Sequence, residues 1–261
     1  MFLSAFFQVI LHGDCDTIEA GDNVSIIIYG KNPVMEVLKS GRKIIKGYIM
    51  DEQHKDIRHE LNQLGVPVEV LDKSTFKSRF SGTSQGVALE VETYRPLLLH
   101  QLLEKVDVKR DPLIVMLDGI QDPHNLGAII RTAEAGGAIA IIIPKNRSAG
   151  ITAVVVKAAS GAIEHIDIVE VTNLSQTLST LKEAGFWIVG TDLDATADYT
   201  EAYHDRPVCL IIGNEGKGVS QLLKKHSDQL VKIPMQGKVD SLNASVGAGI
   251  IIFDILRRKR E

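Results

Sequence analysis

Short apolar runs separated by amphipathic stretches dominate the chain, and the runs lengthen near its middle. Up to residue 93 they are brief: 24–29, 44–50, 68–71 and 87–91 read as strands. Helical spacing lies between them at 33–40 and 53–64, with a helical turn at 74–80. Together these predict a small α/β unit over 23–94, near the lower size limit for a domain with its own core. Residues 95–111 have mixed polarity, prolines at 96 and 112 near their borders and a short helical pattern at 98–106, and they read as a linker. Beyond 112 the strands become near-continuous Val, Ile and Leu at 113–117, 138–143, 166–171, 187–190, 208–212 and 230–233. Helical patterns fall between them at 126–135, 153–159, 174–184 and 219–226. Strands apolar on both faces and alternating with helices predict a parallel sheet covered on both sides. Residues 112–261 are therefore expected to form a second α/β domain, with ligands beyond the carboxyl ends of its strands.

Composition narrows the classes. The chain has 261 residues, of which 24% are charged and 44% apolar, as in ordinary globular proteins. A net charge of −4 argues against coating nucleic acid by charge alone, but leaves room for local basic patches. Arg257, Arg258, Lys259 and Arg260 form one such run, which also reads as a solvated helix end complementing the dipole. Cys15 and Cys209 have neither disulfide nor metal-ligand spacing, so no metal is expected, and Cys209 within VCLII reads as a reduced core residue of a cytoplasmic protein. The N-terminal MFLSAFFQVIL is apolar, but it lacks a basic region and falls short of the roughly 20 residues that span a bilayer. Residues 1–22 are expected to be a poorly ordered leader, with a signal peptide as the alternative, and no membrane association is expected.

Three loops of the second half carry the candidate chemistry. In LDGIQDPHNLGAIIRTAEAGGA (117–138), Asn125 is placed to cap a helix whose buried stripe is Leu126, Ile129, Ile130 and Ala133. Arg131 lies off that stripe, and two roles stand: an i,i+3 pair with Glu134, or a guanidinium fork aimed at phosphate. His124 is a lone loop histidine with no visible partner and reads as incidental. In IIGNEGKGVS (211–220) a strand-to-helix loop carries three glycines in six residues, yet it fits neither the P-loop pattern nor G-x-G-x-x-G. Glu215 there would repel phosphate, so the loop suits a neutral or cationic ligand held by backbone groups. The third stretch, IPMQGKVDSLNASVGAGIIIFDILRRKRE (233–261), clusters Ser241, Asn243 and Ser245 ahead of an apolar helix. Helix capping explains one of the three. Gly247 and Gly249 each cost about 1 kcal/mol inside a helix, so a close approach by a ligand or another chain segment is expected there.

In order and at compatible spacing, these three stretches resemble the motifs of the SpoU branch of the SPOUT methyltransferases, over roughly 113–259. YGKNPVMEVLKSG (29–41) and FSGTSQGVAL (80–89) are similar to the L30e-like substrate-binding domain of 23S rRNA guanosine methyltransferases. The resemblance implies a fold, α/β throughout: an L30e-like domain followed by a parallel sheet whose C-terminal segment is threaded into a deep trefoil knot. It also implies a homodimer that uses S-adenosylmethionine to methylate a ribose 2′-hydroxyl of RNA, on a guanosine of 23S rRNA. By position in the motifs, Arg131, Asn125, Glu215, Asn243, Ser241 and Ser245 are the implied catalytic set. Gly213, Ile233, Leu242, Asn214, Gly218, Ser241 and Ala244 are the implied cofactor set. A tRNA methyltransferase of the same family and a non-catalytic RNA-binding or ribosome-assembly factor are the alternatives.

Overall fold

The computed structural model describes residues 17–20, 23–50, 53–80, 84–202, 205–214, 216 and 218–259. The first unit runs β1 (Thr17–Ala20), β2 (Asn23–Tyr29), α1 (Lys31–Ser40), β3 (Ile44–Met50), α2 (Lys55–Gln63), β4 (Val68–Leu71), α3 (Lys73–Arg79) and β5 (Val87–Glu92). Its sheet has the order β1-β2-β5-β3-β4, antiparallel except where β3 pairs with β4. Thr17–Ala20 falls inside the stretch expected as a leader, yet it pairs antiparallel with β2. The rest of that stretch lies outside the described residues. α2 starts two residues later than its periodicity predicts, because His54 adopts φ 50° and serves as the N-cap.

The stretch expected as a linker holds α4 (Leu99–Lys105), and the second unit then runs β6 (Leu113–Asp118), α5 (Pro123–Ala135), β7 (Ala140–Pro144), α6 (Ala153–Ala159), β8 (Asp167–Val171) and α7 (Leu174–Glu183). It closes with β9 (Trp187–Thr191), β10 (Ala197–Asp198), β11 (Val208–Gly213), α8 (Gln221–His226), β12 (Gln229–Lys232) and α9 (Ala244–Arg258). The seven strands run parallel in the order β10-β12-β9-β11-β6-β7-β8. Every residue of β11 is buried, as is Leu113–Leu117 of β6, which is why these strands read as unbroken apolar runs. β10, two residues long, has no sequence signature. From β12, which lies between β10 and β9, the chain turns back so that α9 packs on α5, burying Ala248, Ile251, Ile252 and Ile255. Ile233, Met235 and Ser241–Asn243, between β12 and α9, lie beside the residues at the carboxyl ends of β9 and β11.

The two units meet at α6 and the turn that follows it. Arg42 pairs with Glu164 at 2.7 Å, with side chains only 10% and 5% exposed. His165 contacts Glu36 at 2.8 Å, and Gly161, at φ 93°, leaves no room for a Cβ beside the Glu36 side chain. The Tyr94 hydroxyl accepts the Ile168 N–H at 3.1 Å, and burial pushes this phenol above its ordinary pKa. No helix among the described residues is long and apolar enough to cross a membrane.

Candidate functional site

α5 begins earlier than expected. Asp122, not Asn125, is its N-cap, accepting the His124 N–H at 2.9 Å, and Pro123 occupies the first helical position. An acidic cap followed by proline defines the start more strongly than an asparagine three residues on. Asn125 is thereby drawn into the first turn, where it is 9% exposed. Its Oδ1 accepts the Nδ2–H of Asn243 at 2.9 Å, which joins the first and third motifs across 118 positions of sequence. Asn243 caps α9 with its own Oδ1, which accepts the N–H of Ser245 at 3.0 Å and its hydroxyl at 2.6 Å. Capping thus accounts for two of the three clustered polar residues, Asn243 and Ser245. Ser241 is exposed and lines a cleft.

That cleft encloses about 670 Å³, counting its open mouth. One wall is the end of β11, where Gly213, Asn214 and Gly218 lie. A Cβ on Gly213 would stand 2.1 Å from the Gly218 carbonyl carbon, so the loop closes only on glycine. Gly218 itself sits at φ 61° and donates its N–H to the Asn214 carbonyl at 2.7 Å. Asn214 Nδ2 reaches the Gly119 carbonyl at 3.0 Å, and Asp118 accepts the Ser220 N–H at 2.7 Å, so the second motif is fastened to the first. The opposite wall is Ile233, Met235, Leu242 and Ala244, with Gly247 and Ile251 of α9 behind them. All seven residues of the implied cofactor set line this one cleft.

The glycines of α9 behave differently from each other. A Cβ on Gly249 would touch Thr132 at 3.4 Å, whereas one on Gly247 would meet only Ile233, at 3.7 Å. Among the described residues no segment crowds Gly247, whose backbone faces the cleft. The sequence reading passed over Thr191, Asp192 and Leu193, which follow β9 and complete the cleft. Their position after an apolar strand of a parallel sheet was the available signal. Asp192 is held by Lys224 at 2.8 Å, both side chains being largely buried. A mainly apolar cleft with tight backbone at one wall and few polar groups suits a flat heterocycle carrying a short polar chain.

Arg131 does not line the cleft. It is exposed, and its guanidinium donates to Ser160 Oγ at 3.2 Å instead of pairing with Glu134. Glu215 lies outside the described residues. Among the described residues no group of three or more His, Cys, Asp or Glu could hold a metal ion.

The chain's similarities to known proteins divide at the same boundary as its two units. A model of the SpoU rRNA methylase family matches residues 112–253. A model described as RNA 2′-O ribose methyltransferase substrate binding matches residues 27–97. A Bacillus subtilis protein named for the TrmH family of tRNA/rRNA methyltransferases is 41% identical over 237 residues, covering 89% of this chain and 95% of its own. The 23S rRNA (guanosine-2′-O-)-methyltransferase RlmB of Haemophilus influenzae is 38% identical over 239 residues, covering 89% and 97%. Among solved structures, the SpoU methyltransferase AviRb of Streptomyces viridochromogenes, in complex with S-adenosylmethionine, superposes with a TM-score of 0.78 at 25% identity, covering 90% of this chain and 91% of its own.

Proposed function

The chain belongs to the SpoU rRNA methylase family and is an S-adenosylmethionine-dependent RNA ribose 2′-O-methyltransferase, and from that premise we propose that its target is a guanosine of 23S rRNA, methylated by a homodimer. The observation that carries the reading is the Asn243–Asn125 hydrogen bond, which joins the first and third motifs beside the cleft that the second and third motifs line. Gly213, Gly218, Ile233, Leu242 and Ala244 would hold the adenine and methionyl parts of the cofactor, with Asn214 fixing the loop and Ser241 at the mouth. The bound cofactor supplies an activated methyl group on a sulfonium, so the chain's task is to position and activate the 2′-hydroxyl.

Asn243 commits its oxygen to the helix cap and its amide to Asn125, which makes this pair a rigid platform for the ribose. The Arg131 guanidinium acts by stabilising the developing alkoxide and the adjacent phosphate. Its absence from the cleft lining of its own chain supports delivery into the cleft of a second copy, with the exposed Val246 and Phe253 of α9 covered in that contact. Glu215 and Ser245 complete the set by their motif positions. The ribosomal target is supported by the substrate-binding unit over 27–97 and by the relatives named for 23S rRNA, and a cytoplasmic location is proposed with that target.

A transcript with 2′-deoxyguanosine at the mapped position should accept no methyl group; transfer to it would identify a base methyltransferase. Arg131→Lys keeps the charge but loses the planar fork, and kcat should fall about 100- to 1,000-fold. A near-normal rate would remove Arg131 from the mechanism. Methylation of tRNA in preference to rRNA transcripts would move the target to the tRNA alternative.

A further inference from the structure

We propose that the loop after β7 and the exposed side of α6 form a phosphate-binding strip, which carries the RNA backbone from the cleft to the N-terminal unit. The inference rests on the RNA-methylating function and adds the surface through which substrate is held. Residues 136–163 contain Lys145, Arg147 and Lys157 and not one Asp or Glu, in a chain whose net charge is −4. Lys145 and Arg147 are exposed, and Arg147 is held at φ 62° in a bend beyond the carboxyl end of β7.

The bend is fastened to the site. The Ala149 N–H donates to the Ile120 carbonyl at 3.0 Å, on the loop that leads into Asp122 and Asn125. At its other end the Lys145 N–H donates to the Val171 carbonyl at 2.8 Å. α6 starts directly after this loop and ends at Ser160, the residue that Arg131 contacts. On α6 the Lys157 ammonium lies 4.6 Å from the centre of the Tyr29 ring, on the N-terminal unit. The acids at that end are already matched: Glu164 with Arg42, and Glu36 with Lys39 and His165. Polyanion backbone is the partner that such a row fits, since cations spaced along a ridge follow successive phosphates without reading bases.

The test uses the full chain with Lys145→Ala/Arg147→Ala and Lys145→Glu/Arg147→Glu, and Lys225→Ala on α8 as the control. Filter binding to a 23S rRNA transcript across a salt series reads the strip without turnover. The alanine pair should weaken RNA binding at least tenfold and reduce the salt slope by about 1.4–1.8, the share of two phosphate contacts. The glutamate pair should weaken it further, and the control should match wild type. Calorimetric affinity for S-adenosylmethionine should be unchanged in all, with the RNA KM raised and kcat kept in the alanine pair. An unaltered slope and affinity would overturn the proposal. So would loss of self-association in the glutamate pair, because the strip would then be a contact between copies. Wild-type protein that binds the transcript with the expected slope but transfers no methyl group would instead overturn the proposed reaction and leave the strip standing.

Discussion

At the residue scale, two glycines test whether the cleft is built for a ligand. Gly213 is required by the chain itself, since an added Cβ would stand 2.1 Å from a backbone carbon and 2.2 Å from the Val219 nitrogen. Gly213→Ala should cost about 1–3 kcal/mol of stability through that forced opening, and cofactor binding should go with it. Gly247 is free of such a demand: the nearest atom to its added methyl would be Ile233 Cδ1 at 3.7 Å. Gly247→Ala should therefore stabilise α9 by up to about 1 kcal/mol while weakening S-adenosylmethionine binding, because the methyl would enter the cleft. Thermal denaturation and calorimetry on the two variants separate these effects. A Gly247→Ala protein with unchanged affinity would show that the cofactor does not approach this backbone.

At the element scale, strand and helix identity was legible in the sequence, whereas starts and partners were not. The strands of the large sheet are buried on both faces, so burial writes itself into the sequence as unbroken apolar runs. β10, two residues long and half-buried, does not do so. The start of α5 was read three residues late because Asn125 is itself a good cap, and only the local backbone decides between it and Asp122. The motif positions of Asn125 and Asn243 were legible, but their hydrogen bond was not, since it depends on α9 returning to α5. Capping itself gives an element-scale prediction. Asp72 caps α3 by accepting the N–H groups of Ser74 and Thr75 together with their hydroxyls, which holds its carboxyl well below the ordinary value of 3.8. A depressed carboxylate pKa contributes stability that is present above the ordinary value and lost as pH falls through the lowered one. Asp72→Asn keeps a capping oxygen without the titration, so its stability relative to wild type should rise as pH falls from 6 toward 2. Urea midpoints across that range would check this, and a constant difference between the two proteins would contradict it.

At the scale of the whole molecule, the two units are joined through a largely buried ion pair. Arg42 and Glu164 lie 122 positions apart and pair with their side chains almost fully covered. Removing one partner leaves the other charge buried, so Arg42→Ala should cost roughly 3–5 kcal/mol in denaturant unfolding. If the junction sets how RNA is presented, the same variant should raise the RNA KM while its affinity for S-adenosylmethionine stays the same. Equal stability in the two proteins would mean that the pair opens to solvent. The fold, the cleft and the family converge on one reaction, and its product is directly measurable. Incubation of the enzyme with labelled S-adenosylmethionine and a 23S rRNA transcript, followed by nuclease digestion and mass spectrometry of the nucleosides, identifies the methylated atom. The account predicts 2′-O-methylguanosine at a single position; label on a base, or no transfer to the RNA, would contradict it.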